Sequence, residues 1–131
     1  MNELATTLPL PLADAARRVR DALAEHGFGV LTEIDVARVF HDKLDIERTP
    51  LTILGACNPV IAHAALERDD TAALSLPCNV VLDESTPGVT RVSIADPAVV
   101  VPGKALADLT DDARARLRGV IRSLEGAVAT E

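Results

Sequence analysis

The sequence predicts a single α+β domain: four or five strands in a mixed or antiparallel sheet, packed with about four helices in the order (β)αβαβαββα. Three observations predict it. The length of 131 residues fits one domain. Hydrophobic residues make up 48% of the chain and charged residues 25%, which is ordinary globular usage. Segments with helical apolar spacing alternate with short β-branched runs, and the last two strands succeed each other through a turn.

In chain order, Leu8-Pro9-Leu10-Pro11 reads as an edge strand or a lead-in within residues 1–12, and the core spans about 13–127. Ala15, Val19, Ala22, Leu23 and His26 recur at helical spacing, so a helix is expected from Asp14 to His26, stopped by Gly27. Phe28 to Ile34 reads as a strand with Phe28, Val30, Thr32 and Ile34 on one side. Asp35 then caps a helix whose apolar stripe is Val36, Val39, Phe40 and Leu44. Thr49 to Ala56 is a central strand. Asn58 before Pro59 is a strong helix start, because Asn caps well and Pro at the first helical position loses no needed N–H.

That helix ends at Arg68, before Asp69-Asp70. Pro77 to Asp83 and Val89 to Ala95 form a hairpin about Thr86-Pro87-Gly88, where Gly tolerates positive φ. Asp96-Pro97 starts a short helical turn and Pro102-Gly103 opens a loop. Thr110 or Asp111 caps the last helix, with Ala113, Leu117, Val120, Ile121 and Leu124 facing inward and Arg114, Arg116, Arg118 and Arg122 solvated.

Composition excludes several functions. The net charge is −7 and no basic stripe is present, so nucleic acid is not an expected partner. The absence of Trp and Tyr removes the usual platforms for stacking bases. No apolar run approaches a membrane span, and no basic-then-apolar leader is visible, so the expectation is a cytoplasmic protein with reduced thiols.

The chemistry concentrates in two segments, Gly55-Ala56-Cys57-Asn58-Pro59 and Leu76-Pro77-Cys78-Asn79-Val80. Each sets a Cys-Asn pair where a strand meets a turn or helix. One helix separates them, enough chain to leave the sheet and return on a neighbouring strand. A helix N-terminus at Asn58 favours a thiolate at Cys57. Against this stands the habit of reduced cysteine to behave as a small buried hydrophobe, and Cys78 shares strand parity with Val80 and Leu82. Two thiols do not make a closed metal site, and His26, His41 and His63 lack ligand spacing, so no metal is expected. Glu33 and Asp35 share one side of a strand end and form a candidate acid–base pair; Asp35 as a cap and Glu33 as an arginine partner is the simpler account.

Four blocks carry a family resemblance: His26 to Asp35, Ile53 to Pro59, Leu76 to Val81 and Ala95-Asp96-Pro97. In order and spacing they resemble the bacterial and archaeal family known as domain of unknown function 302, from about Ala13 to Glu125. The resemblance implies a TATA-binding-protein-like α+β fold with extra helices, a small cytoplasmic protein, and no assigned activity. His63 stands where relatives more often carry an aromatic, and the N-terminal strand is hard to see.

The residues support two expectations of function. One is a binding or redox-responsive domain for a small molecule, with Cys57, Asn58, Cys78, Asn79 and Glu33 at its site; the cofactor is unknown. The other is a non-catalytic interaction module, acting as a homodimer, with inert buried cysteines. No known catalytic motif is present.

Overall fold

A five-stranded sheet in the order β1-β5-β4-β3-β2 forms the frame, and every neighbouring pair is antiparallel. The computed structural model describes residues 4–101 and 103–129. Its elements are β1 (Ala5–Leu8), α1 (Leu12–Glu25), β2 (Gly29–Asp35), α2 (Val36–Leu44), β3 (Leu51–Cys57), α3 (Pro59–Arg68), a 3-10 turn (Asp70–Ser75), β4 (Cys78–Thr86), β5 (Val89–Ile94), α4 (Pro97–Val100) and α5 (Ala107–Ala129).

One sheet face is built from alternate residues: Leu54 and Ala56 on β3, Val80 and Leu82 on β4, Val92 and Ile94 on β5. All are buried against the apolar stripes of α1 (Ala15, Val19, Ala22, Leu23) and α5 (Leu117, Val120, Ile121, Leu124). The i, i+4, i+7 spacing in those helices is what makes one face apolar, so the two stripes read from the sequence are the two that form the core. A second, smaller cluster of Ala65, Ala72 and Leu106 sits under α3, the 3-10 turn and the start of α5.

Several elements differ from expectation. The first strand lies earlier than Leu8–Pro11, and Leu4 and Leu8 enter the core, so the N-terminal segment is part of the fold. Residues 1–3 of the expected lead-in lie outside the described residues, as does Pro102 of the expected loop. β2 does not keep one parity. A bulge between Val30 and Thr32 leaves Val30 opposite Ala56 but turns Thr32 and Ile34 to the other face, opposite Gly55 and Ile53. Helix α2 forms with its Asp35 cap (Arg38 N to Oδ1, 3.1 Å), yet none of its residues is fully buried. The last helix begins at Ala107 rather than at a cap at Thr110 or Asp111, and the Thr110 hydroxyl donates to Ala107 O (3.2 Å) from inside it. Of the four arginines on that helix, Arg116 and Arg122 are exposed while Arg114 and Arg118 are half-buried.

Candidate functional site

The site is made where β3 stops. Asn58 is buried, and its side-chain oxygen accepts from Ile61 N (3.1 Å), satisfying one of the unpaired N–H groups of the first turn of α3. Pro59 is the first helical residue, so the chain leaves the sheet directly after Cys57. It returns through the 3-10 turn, which Asp69 caps by accepting from Thr71 N (2.9 Å), and enters β4 at Cys78.

The register then joins the two Cys-Asn segments. Cys78 lies opposite Ala56 and Asn79 opposite Gly55, so both segments occupy one end of adjacent strands. Gly55 is required there: a Cβ on it would meet Pro77 Cγ at 2.7 Å and collide with Thr32 Oγ1. Cys57 is one residue beyond the partner of Cys78, and strand alternation turns the two side chains toward opposite faces.

Both segments line a cavity of about 130 Å³ between this end of the sheet, α3, the 3-10 turn, α4 and α5. Its walls are mainly apolar, with Phe28, Ile61 and Pro97 beside the alanines 56, 62, 65, 72 and 113. The smaller hydrophobic cluster forms one wall and the end of the main core another. Exposed Asn79, Leu76 and Val100 mark the side that meets solvent. Across the outside, Arg68 makes a bidentate ion pair with Asp108 (2.7 and 2.9 Å), and Ser75 Oγ donates to Val100 O (3.4 Å).

The thiols are neutral groups here. Burial pushes the Cys57 thiol up, not down as its place before a helix N-terminus predicts. The cause is loss of solvent around the sulfur, which disfavours the charged thiolate. Cys78 is pushed up to about 11, first by burial, then by the negative charge of Asp96 and, once it ionises in alkali, of Cys57. Its Sγ–H donates to Ala95 O at 3.6 Å. Asp96 caps α4 through Ala98 N (2.9 Å) and accepts from Arg114 Nε (3.0 Å).

Glu33 stands apart from this arrangement. It is exposed on β2, takes Arg20 as its partner (2.7 Å) and does not line the cavity. Asp35 is spent on its cap. The two carboxylates therefore hold separate partners. Among the described residues no group of three or more His, Cys, Asp or Glu side chains is placed to hold a metal ion. Of the sequence-derived candidates, Cys57, Asn58, Cys78 and Asn79 meet at one cavity and Glu33 does not. The walls supplied by Ala72, Val101, Leu106 and Leu109 were not anticipated. Their signal is legible in part: Leu106, Leu109, Thr110 and Ala113 continue the inward stripe of α5 upstream at i, i+3, i+4 and i+7.

Residues 4–124 match the family described as domain of unknown function DUF302. The crystal structure of an uncharacterized conserved DUF302 protein from Bacillus stearothermophilus is similar at a TM-score of 0.81 and 26% identity, over 92% of this chain and 97% of that one. No curated protein matches the sequence.

Proposed function

This chain belongs to the DUF302 family, and from that premise we propose that it is a small-molecule-binding domain whose site is the cavity at the Cys57-Asn58 and Cys78-Asn79 strand ends. The observation that carries the reading is the meeting of both Cys-Asn segments on one apolar-walled cavity of about 130 Å³. Concave, mostly apolar sites with few polar groups are the usual form of small-molecule pockets. Between binding and redox response, the raised thiols favour binding, since a reactive cysteine needs a thiolate at neutral pH. The reading takes the protein as cytoplasmic, where two free thiols stay reduced. No described helix is long and apolar enough to cross a membrane. The net charge of −7 argues against nucleic acid as a partner.

A screen of neutral, acidic and basic small organic molecules against the isotope-labelled chain tests the reading. At least one class is expected to shift the backbone amides of Cys78, Ala65 and Ala113 saturably. The reading fails when no class moves them.

A second reading, a homodimer acting as an interaction module, has its own support. Leu31, Ile34, Val39, Leu44 and Ile46 are large apolar residues left exposed on and just after β2 and α2. The five fall within positions 31–46, and a concentration of exposed apolar residues is a feature of association sites. Light scattering across micromolar concentrations checks it, and a monomer throughout removes it.

A further inference from the structure

Four polar groups of the cavity wall are already bonded within the protein. Asn58 Oδ1 accepts from Ile61 N, the Cys78 thiol donates to Ala95 O, the Thr110 hydroxyl to Ala107 O and the Ser75 hydroxyl to Val100 O. Among the described residues no buried side-chain nitrogen or oxygen lacks a partner, and no Asp, Glu, Lys, Arg or His lines the cavity. Asp96, at the start of α4, is already paired with Arg114 at 3.0 Å and bonded to Ala98 N. A carboxylate, phosphate or ammonium entering this space would lose its water and meet no counter-charge. Ordered water fares little better, because a buried water needs two to four polar partners of its own.

Resting on the ligand-site reading above, we infer that the ligand is an uncharged, predominantly apolar molecule about the size of a single benzene ring. The volume is of the right order: an enclosed apolar cavity of about 150 Å³ takes up benzene, and this one, open to solvent beside Asn79, measures about 130 Å³. The alanines at 62, 65, 72 and 113 leave that space by ending at Cβ. Cys78 adds a neutral, polarizable sulfur suited to an aromatic edge. A neutral hydroxyl or carbonyl on the ligand is tolerated on the solvent side, beside exposed Asn79.

Titrating the isotope-labelled full chain with toluene, benzoate and benzylammonium tests the class. Toluene is expected to shift the amides of Cys78, Ala65 and Ala113 with at least tenfold tighter binding than either charged analogue, leaving Val39 on α2 unmoved. Ala113→Leu, which fills the cavity, should abolish those shifts; Ala72→Leu serves the same purpose from the opposite wall should the first variant not fold. Equal or tighter binding of benzoate or benzylammonium at these amides overturns the uncharged class while leaving a ligand site in place. Silence from all three probes, in a chain whose spectrum shows it folded, overturns both the class and the binding reading. Toluene shifts that survive both fillings, or that centre on α2, overturn the cavity as the locus.

Discussion

The two Cys-Asn segments carry the same dipeptide at the same end of neighbouring strands, yet they do different work. Asn58 is buried and caps a helix; Asn79 is an exposed strand residue. Cys57 ends its strand facing away from the main core, whereas Cys78 packs against that core and bonds to Ala95 O. The difference lies in the residue after each pair. Pro59 forces the first segment out of the sheet into α3, while Val80 keeps the second in a buried strand. A local motif thus sets neither burial nor pKa; the next residues and the neighbouring strand do.

The largest expected effect breaks the contact between the segments. Gly55→Ala would press a methyl group into Pro77 and Thr32 and should destabilise the fold by about 1–3 kcal/mol in urea unfolding.

Next comes the contrast between the thiols. The folded state holds Cys78 neutral, with its titration moved from an ordinary value of 9.0 up to about 11. Stability from this group is therefore full below about pH 9 and lost as pH rises toward about 11, on the order of 2 kcal/mol in all. The chain has no tyrosine to blur that alkaline limb, and Cys78→Ala should make it shallower in unfolding curves taken from pH 8 to 11, leaving the share that Cys57 contributes. At pH 8, iodoacetamide should label Cys57 before Cys78, with mass spectrometry tracking each site; equal rates would show that burial does not separate them.

The asparagines give a smaller contrast. Asn58→Ala removes a cap and should cost about 1 kcal/mol, while Asn79→Ala should stay within about 0.5 kcal/mol. Equal losses in parallel thermal melts would erase the distinction. The smallest effect belongs to Glu33→Gln, which cuts an exposed ion pair with Arg20 and should change stability by at most about 0.5 kcal/mol. A clear loss of ligand-induced amide shifts in that variant would return Glu33 to the site.

Much of this was legible in the sequence. The inward stripes of α1 and α5, the Asn58-Pro59 start of α3 and the Gly88 turn (φ +80°) all obey local rules, because each rests on spacing or on one residue's backbone preference. Other features did not. The bulge in β2 was invisible because Val30, Thr32 and Ile34 alternate correctly in isolation, and only pairing with β3 inserts the extra residue. The exposure of α2 was hidden for the same reason: its stripe of Val36, Val39, Phe40 and Leu44 promises full burial, yet the helix touches β3 with Val36 and Phe40 only half-buried and Val39 and Leu44 exposed.

For the Cys-Asn pairs, the sequence alone determined that each would sit at an element end and that Asn58 would cap a helix, because capping and proline geometry are local. Only the tertiary structure decided that the pairs share a cavity, that Glu33 stays outside it, and that burial raises both thiols. Register, burial and distance between charges are properties of the assembled chain, and desolvation, which sets the thiols, begins only when other elements close around them.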